Sequence, residues 1–305
     1  MKRAAVLLLS LILSGFTFAQ QPQQTPNQQQ QTSQASGQGG TSQQPGSPPA
    51  AKRPPQAKTQ PEFDAYQAAI KNANDPAAIE KSADDFATKF PDSELRVLLY
   101  RAAMHAYQSA NDAEKMADTA QKVLKIDPDD PEALIGGAEV IAERTRDTDL
   151  DKDQRLAEAQ KDAQRALQTV DTDVAIPAGT PQEKIDAYKG FLRSSAYSVL
   201  GTIAFNQKNY VEAENQFRQS INALPSQPDP VVVLRLAIAL DNQGKYPEAL
   251  KEANRAVDLT QENTTAGTLA RRERDRLVQL TGGSPAAPPS KPPAGAAQNS
   301  NPPSQ

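Results

Sequence analysis

His105 is the one histidine of the 305-residue chain, which contains no cysteine and no tryptophan. A Ser-His-Asp hydrolase would have to use His105 as its base, and a thiol nucleophile is excluded. His105 sits in the run Arg101-Ala102-Ala103-Met104-His105-Ala106-Tyr107, with no glycine-flanked serine beside it. A histidine on a helix surface or in a groove accounts for it better than a catalytic base. One histidine also falls short of the clusters that bind zinc. Carboxylates crowd two stretches, Asp127, Asp129 and Asp130, then Asp147, Asp149, Asp151 and Asp153. The second stretch lacks the central glycine and terminal glutamate of a calcium loop, so solvated turns are expected. Gly136-Gly137 falls inside a periodic apolar stretch and Gly282-Gly283 opens a proline-rich one, so neither cradles a phosphate. The expectation is a protein without catalysis, metal or cofactor.

Charge points the same way. The formal net charge is −4, with both signs mixed along the chain, whereas a nucleic-acid binder is expected to show a basic face. The run Arg271-Arg272-Glu273-Arg274-Asp275-Arg276 is interleaved with acids and reads as a solvated helix face. Neither nucleic acid nor a small-molecule substrate is expected as partner.

Met1-Lys2-Arg3, the apolar run 4–18 and the small residue Ala19 have the order of a secretory signal peptide, residues 1–19, cleaved before Gln20. Ser10, Ser14, Gly15 and Thr17 interrupt the run, which is shorter than the roughly 20 residues of a spanning helix. Membrane association follows only if that segment is retained. Without a lipid-accepting cysteine, a periplasmic or secreted location is expected. Residues 20–60 are dominated by Gln, Pro, Ser, Thr and Gly, as in Gln28-Gln29-Gln30-Gln31, and residues 282–305 repeat Pro-Pro pairs. Such composition buries too little to offset its ordering entropy, so both are expected to be disordered tails. The tails read as solubilising spacers or as ligands for proline-recognising domains.

The elements that would position any site lie between, in residues 61–281. Ala, Leu, Glu, Gln, Lys and Arg abound there, and Pro and Gly fall between periodic stretches. The fold class expected is all-α. Two stretches align without gaps: Tyr197, Leu200, Gly201, Tyr210, Ala213, Phe217 and Ser220 against Val233, Leu236, Ala237, Tyr246, Ala249, Ala253 and Ala256. Gly201 and Ala237, like every other pair, stand 36 residues apart. A small residue at 201 or 237 lets the first helix of a pair touch the second, where Ala213 or Ala249 supplies the facing surface.

At these residues the chain resembles the tetratricopeptide repeat family, in which helix-turn-helix units of about 34 residues stack into an α-α superhelix. Tyr100, Ala103, Met104, Tyr107, Met116, Ala120 and Val123 make a third unit, with Met104 and Met116 where the family usually has small residues. A fourth begins at Asp130-Pro131-Glu132, with an overlong turn over 144–152 and an insertion over 170–181. Two helices, 63–73 and 76–90, precede these. A final helix, 266–280, with Leu269, Leu277 and Leu280 on one side, is expected to cap the solenoid.

The resemblance implies a scaffold that binds a protein or peptide segment in a concave groove lined by the first helix of each unit. Carried over residue by residue, the lining would be Arg101, His105 and Gln108, then Glu132, Glu139 and Glu143, then Ser198, Thr202 and Asn206, then Val231, Leu234, Ile238 and Asn242. Val231, Leu234 and Ile238 are either apolar anchors for a partner or packing beneath the cap helix. An envelope assembly or chaperone-like factor, and a tether whose tails carry the function, are the alternatives to a scaffold.

Overall fold

A computed structural model describes residues 52–177 and 179–282. The expected signal peptide, most of the leader and the tail beyond Gly282 lie outside the described residues. Eleven helices fill the described chain: α1 (Gln60–Ile70), α2 (Pro76–Lys89), α3 (Arg96–Ser109), α4 (Ala113–Ile126), α5 (Pro131–Arg144), α6 (Lys152–Thr169), α7 (Gln182–Asn206), α8 (Tyr210–Ala223), α9 (Pro230–Asp241), α10 (Tyr246–Asp258) and α11 (Thr265–Leu280). Helices α1 to α8 form one unit and α9 to α11 another, divided after Gln227. The first unit is a run of antiparallel helix pairs, each helix packed on the next, with α5 also packed on α7.

Local chemistry explains where the helices start. Asp75, Asp130 and Asp229 each accept a hydrogen bond from a backbone N–H of the first turn and are each followed by proline. An aspartate cap satisfies an orphan donor, and proline at the first helical position has none to satisfy. Thr59, Asp112, Asn209 and Thr264 cap α1, α4, α8 and α11 in the same way.

The turns inside the pairs show the repeat in the backbone itself. Asn111, Lys208 and Gly244 are left-handed, with φ of 60°, 61° and 74°. In each turn the next residue's N–H closes onto a carbonyl five residues back: Asp112 to Tyr107 at 3.0 Å, Asn209 to Ala204 at 2.9 Å, Lys245 to Leu240 at 3.0 Å. This satisfies carbonyls that a helix end leaves orphaned. Lys208 and Gly244 stand at the same 36-residue offset as Gly201 and Ala237.

Packing follows that register. A Cβ placed on Gly201 of α7 would meet the Phe217 ring of α8 at 2.5 Å, and Phe217 and Ala213 are fully buried. Where Met104 and Met116 take the places of small residues, the next pair makes room: a Cβ on Gly136 of α5 would lie 3.1 Å from Met116 Cε and 3.4 Å from Met104 Sδ. Tyr66, Ile79, Phe86, Leu99, Tyr107 and Val123 anchor one core cluster. Leu134, Leu156, Ala163, Val174, Leu192 and Ile203 anchor a second, between α5, α6 and α7.

Two features differ from the sequence-based expectation, and one extends it. Residues 52–59, assigned by composition to the leader, run extended along the first unit: the Lys52 N–H donates to the Thr172 carbonyl at 2.8 Å, and Ala57 packs on the first core cluster. Their cations find carboxylates on distant turns, a pairing composition cannot reveal. Helix α7 starts at Gln182, where the expected insertion ends, and is 25 residues long, so its first half precedes the repeat that begins near Tyr197. In α11 the buried stripe is Gly267, Ala270 and Leu277, while Leu269 and Leu280 are exposed. Leu277 belongs to both stripes, and the inward face is turned from the expected leucine stripe by somewhat less than the roughly 100° of one residue.

Candidate partner-binding face

Five polar side chains from α3, α5 and α7, and from the turn before α5, meet on one side of the first unit. Asp130 precedes Pro131 and caps α5, its Oδ1 accepting the Ala133 N–H at 2.9 Å. Its other oxygen accepts from Arg101 of α3, at 2.6 Å from Nε and 2.5 Å from Nη2. Glu132, in the first turn of α5, lies 3.8 Å from Arg101 Nη1. Its Oε2 is 2.6 Å from His105 Nε2, and its Oε1 accepts from the Tyr188 hydroxyl of α7. Arg101 and His105 are four residues apart on α3 and therefore share a face, which aims both at the start of α5.

The cluster is closed to solvent to an unusual degree for charged groups. Arg101 is 8 % exposed, Asp130 0 % and Glu132 9 %. Burying a charge costs several kcal/mol unless partners replace its water, and here each carboxylate faces a cation. Burial alone would raise the Glu132 carboxyl, but Arg101, His105 and Tyr188 together push it down to about 2. Burial works against protonation of His105, yet the Glu132 carboxylate outweighs it and raises the imidazole above its ordinary 6.5. Burial, with Glu132 added, pushes Asp130 up against the pull of Arg101. A protonated His105 balances the set, two cations against two carboxylates.

Chemically this is a strut. His105 directs its Nε2 at a carboxylate, and the cluster ties the first helices of three successive pairs side by side. A second tie lies at the other end of α7, where Asn206 donates through Nδ2 to the Ala142 carbonyl at 2.7 Å and its own carbonyl accepts from Lys152 at 3.2 Å. Among the described residues there is no group of three or more His, Cys, Asp or Glu fit to hold a metal ion, and no helix is long and apolar enough to cross a membrane.

The expected lining residues therefore divide. Arg101, Glu132 and Thr202 are buried, and Asn206 serves the link to α5. Arg101 and Glu132 tie helices together, with Tyr188 of the extended α7 laid over the start of α5, while Thr202 bonds within its own helix. His105, Gln108, Glu139 and Ser198 remain half-buried at the surface, and Glu143 is exposed. In the second unit Leu234 is 5 % exposed and belongs to the packing, while Val231 and Ile238 are half-buried and Asn242 is exposed. The residues that sequence reasoning missed are Asp130, seen only as a repeat start, and Tyr188, whose signal was one aromatic in the polar stretch 182–189.

No protein-family model and no curated protein sequence matches the chain. Solved structures do. YrrB, a tetratricopeptide repeat protein described as having an unusual peptide-binding site, is 14 % identical over 66 % of this chain and 85 % of its own, with a TM-score of 0.42. A tetratricopeptide repeat protein from Parabacteroides merdae is 13 % identical over 72 % of this chain and 87 % of its own, with a TM-score of 0.36. The assembly chaperone Acl4 of RpL4, residues 1–338, is 13 % identical over 73 % of this chain and 98 % of its own, also at 0.36. All are helical repeat proteins.

Proposed function

We propose that this chain is an exported scaffold that docks a protein or peptide segment on the face presented by α3, α5 and α7. The buried Arg101–Asp130–Glu132–His105–Tyr188 cluster carries the reading. A helix array that needed only to be stable would gain as much from apolar contacts at these positions, since buried ion pairs seldom add stability. What the cluster supplies is fixed spacing between first helices. A surface held in one arrangement before binding loses less entropy when a partner docks. His105, Gln108, Glu139 and Ser198 are the groups at its surface.

Export rests on the order of Met1-Lys2-Arg3, the apolar run and Ala19. Mass analysis of the mature chain should find Gln20 as its first residue, and an intact Met1 in the membrane fraction would refute cleavage.

Bulk placed on the face tests the docking. The full chain carrying Gln108→Arg and Ser198→Arg keeps the core intact and should lose a partner that crosslinking captures with the wild type, at unchanged melting temperature. Equal capture by both chains rejects this face.

A further inference from the structure

The turns that join one helix pair to the next bring carboxylates to one edge of the first unit. Asp92 and Glu94 lie between α2 and α3, Asp127 and Asp129 between α4 and α5, Asp171 and Asp173 between α6 and α7. Across this edge lie residues 52–58, Lys-Arg-Pro-Pro-Gln-Ala-Lys. Lys52 reaches both Asp127 oxygens at 2.6 and 2.7 Å and Asp173 at 3.7 Å. Arg53 forks onto Glu94 at 2.8 and 2.5 Å, and the Gln56 N–H donates to the same carboxylate at 3.2 Å. Lys58 donates to the Asp92 carbonyl at 2.7 Å. At about 3.1 Å per residue the stretch covers roughly 19 Å, and its side chains meet all three turns.

We infer that this acidic edge is a docking surface for an extended segment of another protein that carries Lys or Arg next to Pro-Pro, and that residues 52–58 are its built-in competitor. The edge recognises such a segment in three ways that the strap displays: a fork onto Glu94, point charges at Asp127 and Asp173, and half-buried prolines that stay extended at little entropic cost. The Arg53 hydrogen bond holds Glu94 below the usual carboxylate range. The strap is also displaceable by construction. Arg53 is 64 % and Lys52 38 % exposed, and ion pairs so open to water contribute little. Its hold comes from covalent attachment, which acts as a local concentration on the order of millimolar. A partner segment with more cations, or presented in several copies, can outcompete it. This surface is separate from the α3/α5/α7 face, and the inference stands without that reading.

The test uses the full chain and a labelled peptide with the sequence of residues 50–59. Wild type and the triple variant K52A/R53A/K58A are titrated with the peptide and binding is read by fluorescence anisotropy. The triple variant should bind more tightly than the wild type, by about tenfold for a peptide Kd of about 0.1 mM, because the strap competes at a local concentration on the order of millimolar. Binding should weaken with added salt and disappear when Glu94→Gln and Asp127→Asn are added to the triple variant. Helical content by circular dichroism should be equal in all three chains. Equal affinity for wild type and triple variant, no binding to either, or binding indifferent to E94Q and D127N overturns the inference. So does a concentration-dependent dimer of the wild-type chain, which would make the strap a ligand for a second copy.

Discussion

Gly201→Ala tests the register on which the helix pairing depends, and two opposing effects set its outcome. Alanine in a helix interior is favoured over glycine by about 1 kcal/mol, and Gly201 lies within α7. On propensity alone the substitution would stabilise. Against this, the new Cβ would sit 2.5 Å from both Cδ1 and Cε1 of Phe217 and 3.1 Å from Cγ, about 1 Å inside an ordinary carbon contact of roughly 3.5–4.0 Å. Phe217 is fully buried, so its ring cannot swing into water. Overpacking of this kind costs about 1–3 kcal/mol, and two ring atoms at the same short distance place it in the upper part of that range. The net expectation is a loss of about 1–2 kcal/mol, a melting temperature lower by about 2–8 °C for a body of this size. Urea and thermal unfolding of Gly201→Ala, Phe217→Leu and the double variant supply a cycle. The smaller leucine should relieve the clash, with a favourable coupling of about 0.5–3 kcal/mol. A more stable Gly201→Ala protein with no coupling to Phe217 would show that α7 and α8 do not meet at this pair.

Arg101→Met leaves Asp130 buried without its cation and Glu132 with His105 alone, and unfolding should show a loss of about 3–5 kcal/mol. Because the Glu132 carboxylate outweighs burial and raises the His105 pKa above 6.5, the folded chain binds that proton more tightly than the unfolded one. Its stabilisation is complete below pH 6.5 and is lost as pH rises through the folded value, so the melting temperature should fall on going from about pH 6 to 8, and His105→Gln should remove this component. Glu132 has the opposite sign: with its pKa lowered to about 2, its contribution is present at neutral pH and disappears as pH falls from about 4.5 towards 2. Gly244→Ala meets nothing within 4 Å, so its cost is that of an alanine at φ 74°, about 1–2 kcal/mol by thermal unfolding.

Much of the fold is legible in the sequence, because the signals concerned are local. Aspartate followed by proline marks the starts of α2, α5 and α9, and the breaks after Arg144 and Thr169 fall where polar insertions interrupt the apolar period. The pairing of Gly201 with Phe217 is legible because the same two positions recur 36 residues later as Ala237 and Ala253. The candidate site was less so. Arg101 has helical neighbours that fit a solvent-facing cation, and only the approach of Asp130, 29 residues on, buries it. Tyr188 reaches Glu132 because α7 extends ahead of its repeat, a length no periodicity announces. The accommodation of Met104 and Met116 by Gly136 crosses from one pair to the next. The strap likewise depends on which turns share an edge.

The most direct measurement of the central claim is photo-crosslinking in the native cell with a reactive residue at Ser198 on α7, at Gln108 on α3, or at the exposed Gln121 on the second helix α4. Adducts of one partner from positions 198 and 108, and none from 121, are the predicted result. A partner crosslinked from position 121 and from neither of the others would contradict a docking face built by the first helices.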